Sequence, residues 1–113
     1  MIIILNNNED LNRQILSKMG NEDKTNVLGV KDIFECQLAL MDTECDLLII
    51  DADYEDKSDI LCNWIVKNNT FIKHIIIFAK SGISDQNVKI LKRGQYKVSV
   101  MKIQQFRAGL EKI

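Results

Sequence analysis

Proline is absent from this chain, and the other residues that impose special structure are sparse: five glycines, three cysteines, one histidine and one tryptophan in 113 residues. Without proline, and without any low-complexity tract or internal repeat, no linker is visible. The three cysteines, Cys36, Cys45 and Cys62, are too few for a disulfide framework, and none forms a Cys-x-x-Cys pair. Each lies among apolar neighbours, which reads as a buried small hydrophobe. With His74 they offer zinc-ligand types, but their spacing matches no zinc pattern, so no metal is expected from them. Long hydrophobic runs are missing too: nothing approaches the roughly 20 residues of a transmembrane helix. The apolar run Ile2–Leu5 has no basic flank and is not a secretory signal. The expected location is the cytoplasm, with no membrane partner.

What remains is 46% hydrophobic and 27% charged, the composition of one ordinary globular domain spanning residues 1–113. The net charge of −1 hides an asymmetry: residues 1–79 carry −7 and residues 80–113 carry +6. Such polarity reads either as a solvated basic face on the last two helices or as a surface for an acidic partner. Direct nucleic-acid binding is not expected, because the whole chain is acidic, with a pI near 5.8, and has no recognised binding motif.

Five short apolar runs, Ile2–Leu5, Asn26–Val30, Asp46–Asp51, His74–Ala79 and Tyr96–Met101, alternate with segments of helical period. That alternation predicts βα units around a parallel sheet. The third and fourth runs are nearly continuous in Leu and Ile, as central strands covered on both faces tend to be. Helical stripes follow: Leu11, Ile15 and Met19 with Gly20 as a left-handed stop; Phe34, Leu38 and Met41 behind an Asp32 N-cap; Leu61, Trp64 and Ile65; Val88 and Leu91 between Ser84 and Gly94; and Ile103, Phe106, Leu110 and Ile113. The expected fold class is α/β, a (βα)5 doubly wound sandwich with a five-stranded parallel sheet.

In open α/β sheets the chemistry sits outside the carboxyl ends of the strands. Those ends here carry Asn6-Asn7-Asn8, Asp51, Ala79-Lys80 and Lys102. Asp51 opens an acidic loop, Asp51-Ala52-Asp53-Tyr54-Glu55-Asp56, and reads either as a reactive carboxylate or as a strand-end residue holding its own turn through an Asx-type bond. The three asparagines suit the N-cap of the first helix. Lys80 reads equally as a solvated loop residue or a phosphate contact. His74 has no catalytic partner in motif spacing, and Trp64 fits a core stripe. No catalytic residue and no enzyme activity are expected.

The βα repeat with Asp after strand three and Lys after strand five resembles the receiver domain of bacterial response regulators, over the whole chain. Asn6-Asn7-Asn8-Glu9-Asp10-Leu11 is similar to the family's opening, with both acids of the pair turned to amides, and Asp46-Leu47-Leu48-Ile49-Ile50-Asp51 to its third strand. The resemblance implies a flavodoxin-like fold and a place in two-component signal transduction. It makes Asp51 the phosphoacceptor-like residue, Asn6 and Asn7 the degenerate acidic pair, and Ala79 and Lys102 the switch and phosphate-contact positions. The family uses Mg2+, which prefers oxygen ligands of high charge, and signals through the face of helix 4, strand 5 and helix 5.

The departures strike the switch more than the fold. Asn6 and Asn7 remove two charges from any metal site, Ala79 offers no hydroxyl, Ser99 stands where the family often has an aromatic, and Ile103 replaces the usual proline after the lysine. The reading that follows is an atypical receiver, a pseudo-receiver, acting as a phosphorylation-independent protein-interaction module without a cofactor. The alternative is a working phosphoacceptor that uses Asp51 with Mg2+ held by unusual ligands. An internal Asp51–Lys102 ion pair is expected under the first. The expected partner is a protein, an output domain or a second copy, docked on a basic face edged by Lys89, Lys92, Arg93, Lys97 and Arg107. The chain would then be the N-terminal domain of a longer regulator, one with a transcriptional output among the options. A cysteine-based phosphocarrier is disfavoured, because the loop after the first strand holds Asn where Cys would be needed.

Overall fold

The structure is a computed structural model that describes residues 1–19 and 26–112. Its strands are β1 (Ile2–Leu5), β2 (Val27–Val30), β3 (Cys45–Asp51), β4 (Ile72–Phe78) and β5 (Val98–Met101). The helices are α1 (Glu9–Met19), α2 (Ile33–Asp42), α3 (Ser58–Lys67), α4 (Asp85–Arg93) and α5 (Ile103–Glu111), and strand and helix alternate through the described residues. All strands pair in parallel in the order β2-β1-β3-β4-β5, a flavodoxin-like (βα)5 sheet.

Two apolar layers hold it. Ile3, Leu5, Leu48, Ile50, Ile75 and Ile77 face α2, α3 and α4, while Ile2, Ile4, Ile49, Ile76 and Phe78 face α1 and α5. Successive strand residues point to opposite faces, so β3 and β4, which need cover on both, read as unbroken Leu/Ile runs. The strand order reverses between β1 and β3, which puts a crevice between the ends of those two strands.

The strand positions follow the apolar runs closely, with shifts at the ends. β4 starts at Ile72 rather than His74, and β5 starts at Val98 rather than Tyr96. Tyr96 stands just before β5, and its hydroxyl donates to the Thr70 carbonyl, tying that strand to the turn that leads into β4. Gly94 ends α4 as expected, but the left-handed residue is the following Gln95, at φ 66°. Gly20 and Ile113 lie outside the described residues.

One helix is turned the other way. The expected stripe on α2 points to solvent, with Phe34 67%, Leu38 48% and Met41 71% exposed, while Cys36 and Leu40 are buried. The cause is that α2 has two apolar arcs. The strands on either side place the smaller Ile33-Cys36-Leu40 arc over the sheet, and the larger side chains are left outside. On α4, Ser84 stands at the N-cap without capping through its side chain. Its hydroxyl instead accepts from Asn87, a buried amide that also donates to Ser58 of α3 and so fastens the two helices together.

All three thiols lie in the α2–α3 layer. Burial pushes Cys36 and Cys62 up to about 12 and Cys45 to about 11. Each unit of elevation cuts the reactive thiolate tenfold. Alkylation by iodoacetamide at about pH 8 should therefore run roughly a hundredfold slower at Cys45 and about a thousandfold slower at Cys36 and Cys62 in native protein than in urea, read as mass adducts against time. Rapid native labelling of any of the three would show that this layer opens.

Candidate functional site

The crevice is built from four strand ends. After Leu5 the chain turns, and Asn6 is 2% exposed. Its amide pairs reciprocally with Asn12 on α1: Asn6 Nδ2 donates to Asn12 Oδ1 and Asn12 Nδ2 donates to Asn6 Oδ1, both at 3.0 Å. The pair needs Gly29 on β2, where an added Cβ would lie 2.8 Å from Asn12 Nδ2. Asn7 is exposed, and Asn8 caps α1, its Oδ1 accepting from the Leu11 amide at 3.0 Å. Of the three asparagines, one caps, one is solvated and one is locked inward.

At the end of β3, Asp51 Oδ1 accepts from the Asp53 and Tyr54 amides at 3.1 and 3.2 Å, an Asx turn that holds the acidic loop. Tyr54 then reaches across to donate from its hydroxyl to the Lys31 carbonyl at 2.6 Å, fixing the loop against the start of α2. After β4, Ala79 is buried, and the Lys80 amide donates to Asp53 Oδ2 at 2.7 Å. After β5, Lys102 precedes α5 with its side chain exposed, and its backbone amide donates to Gln105 Oε1 at 2.9 Å. Asp51, Asp53, Lys80, Ile103 and Gln104 line a cavity of about 160 Å³.

The structure thus gathers Asp51 and Lys80 in one cavity and adds Asp53. It leaves Asn6 turned toward α1 and Lys102 outside the lining. The expected Asp51–Lys102 ion pair is not formed; the ion pairs among the described residues are Met1–Asp46, Arg13–Asp10 and Lys73–Asp46. Asp51 instead satisfies an oxygen with the backbone amides of its own loop, and the exposed Lys102 stands just before α5 with its Cε near Gly82. No group of three or more His, Cys, Asp or Glu among the described residues is placed to hold a metal ion. For Mg2+ the fit is poor: the Asn6 oxygen is committed to Asn12, and one oxygen each of Asp51 and Asp53 already accepts a backbone N–H.

On the basic side, Lys89, Lys92, Arg93 and Lys97 are exposed, while Arg107 is partly buried with its Nε lacking a hydrogen-bond partner. His74 Nε2 lies 3.0 Å from Ser99 Oγ, a contact between neighbouring strands at the opposite end of the sheet from the crevice. Desolvation, with Lys97 nearby, lowers the His74 pKa. Asn12, Tyr54 and Gln104 were not legible as site residues, and Asp53 was legible only as a substitute ligand under the Mg2+ alternative. Asn12 carries only the weak cue of an amide one turn after the expected cap, and Asp53 only that of a second acid in the loop. No family model, curated protein or solved structure matches the chain.

Proposed function

We propose that this domain is a degenerate receiver that acts by docking to a protein, with no phosphorylation switch. The observation that carries the reading is the committed state of the crevice. The side chain at the first acid-pair position is a neutral amide locked to α1, and the carboxylate at the acceptor position already holds its own loop. A phosphoryl group on Asp51 would have to form on Oδ2, because Oδ1 already accepts two backbone amides, and would find no hydroxyl at Ala79 and no existing ion pair to join. The fixed loop offers a partner one conformation rather than two.

The Asp51–Asp53 pair beside Lys80 keeps the phosphoacceptor alternative testable. Incubated with a small acyl phosphate and Mg2+, the protein should show no phosphoryl adduct by intact-mass spectrometry. An adduct that disappears in Asp51→Asn would overturn the docking-only reading and identify Asp51 as a working acceptor.

A further inference from the structure

The basic face of α4, β5 and α5 carries charge but little grip. The exposed large hydrophobes of the described residues include none on α4, β5 or α5, and Ile83 in the loop before α4 is the nearest. Rim charges act mainly on association rate and specificity, whereas buried aromatic and large apolar anchors supply most of the affinity. The apolar anchors lie elsewhere, on α2. Phe34, Leu38 and Met41 form a solvent-facing stripe at i, i+4 and i+7, and Met41 continues it into a groove of about 430 Å³ between α2 and α3. Leu40, Trp64 and Phe71 line the groove, Phe71 itself 57% exposed. Stripe and groove together expose apolar surface on the order of a few hundred Å², the range in which such patches mark interaction sites.

The charges around this surface choose its occupant. From Asp32 to Asp46 the chain carries five carboxylates and no lysine or arginine. Asp42 stands in the last turn of α2, which has no basic residue, and Glu44 follows on the groove wall. Carboxylates there lie against the negative end of the helix dipole, an unfavourable placement that a docked cation would relieve. Neither is paired with a cation among the described residues. Across the groove, Lys67 ends α3, so the attraction for a cation is strongest along the α2 side.

We infer that the α2 stripe and the α2–α3 groove form a docking site for a cationic amphipathic helix of a partner protein. Its apolar face would cover Phe34, Leu38 and Met41, and its Lys or Arg side chains would meet Asp42 and Glu44. In the helix-in-groove mode the docking helix supplies anchors at i, i+3, i+4 and i+7, and here they would pack on the stripe and into the groove. An anionic membrane is disfavoured by the same carboxylates, and a symmetric α2–α2 dimer would bring Glu35 and Asp42 of the two copies into repulsion. The inference rests on the docking reading above and moves its main surface from the basic face to the acidic one.

The test uses Trp64, the chain's single tryptophan, which lines the groove. A short leucine–lysine amphipathic helical peptide should shift its emission on titration, and a leucine–glutamate peptide should not. Phe34→Asp and Asp42→Lys, both at exposed positions, should each weaken that binding roughly tenfold or more, while Lys92→Glu leaves it unchanged. Circular dichroism confirms that each variant is folded. Binding of the acidic peptide alone, lost in Lys92→Glu, would overturn the inference while leaving a docking domain in place. Sedimentation of the wild type as a dimer that Met41→Asp makes monomeric would overturn it in favour of a second copy. Binding of neither peptide would overturn it outright. A phosphoryl adduct on Asp51 would break the parent reading alone, since the peptide titration contains no phosphodonor.

Discussion

Phe78→Ala should cost about 3–5 kcal/mol and lower the melting temperature by roughly 10–20 °C, because it empties a fully buried aromatic site. Phe78 is the last residue of β4 and pairs in register with Asp51. Its ring meets Phe106 of α5 edge-on, with centroids 5.2 Å apart and planes at 62°. That contact seats α5 on the sheet, and Ile103 and Gln104 at its start form one wall of the cavity beside Asp51. The cavity wall should therefore loosen along with the global loss of stability. Phe78→Leu keeps most of the volume and should cost less than about 1.5 kcal/mol if the neighbours repack. Urea unfolding checks both, and a loss below about 1 kcal/mol for the alanine variant would mean that α5 is not held through this pair.

Asn6→Asp, which restores the first acid of the receiver pattern, should destabilise by about 2–4 kcal/mol at neutral pH. The introduced carboxylate would be nearly solvent-free, would donate nothing to Asn12 Oδ1, and would leave that oxygen unpaired. Burial raises a carboxyl pKa above its unfolded value, so the variant's folded state is favoured below the unfolded pKa and loses that advantage as pH rises through the folded one. The deficit against wild type should accordingly shrink toward about pH 4 and widen toward neutrality. Asn7→Asp, at an exposed position, should stay within about 0.5 kcal/mol of wild type. Thermal melts across pH measure both variants. Full rescue of Asn6→Asp by millimolar Mg2+ would show that the crevice retains metal-binding geometry after all.

These two sites also mark what was legible in the sequence. The five strands and their order of burial stood out because β3 and β4 are covered on both faces and have no room for polar residues. The helix faces were legible where one apolar arc existed, as at Leu11 and Ile15 or Leu61 and Ile65. On α2 two arcs competed, and side-chain size pointed to Phe34, Leu38 and Met41. The chain entering from β2 and leaving to β3 orients the helix instead, and that constraint is not local. The amides were the hardest to read. Asparagine at a helix start signals a cap, yet only Asn8 caps; Asn6 depends on Gly29 and Asn12, brought close by β2 and α1. Asn87 sits in a polar stretch that reads as exposed, and its buried pairing with Ser58 exists only once α3 and α4 meet. At Asp51 both readings were open, and the turn geometry favours the local one.

The strand order carries a consequence for how the molecule assembles. β1 lies between β2 and β3, so Ile2–Leu5 completes its pairing only when residues 47–50 arrive, after two intervening helices. Closing that long loop must precede its reward, which makes β1–β3 docking the expected slow step. The Asn8 cap and the Asp51 turn are local and can form early, whereas the Asn6–Asn12 lock against Gly29 needs β2 in place. During emergence from the ribosome, the acidic portion through Asp51 can thus condense before Lys80 and Lys102 appear. Substitutions in β1 and β3 should then slow folding, while those in β5 mainly speed unfolding.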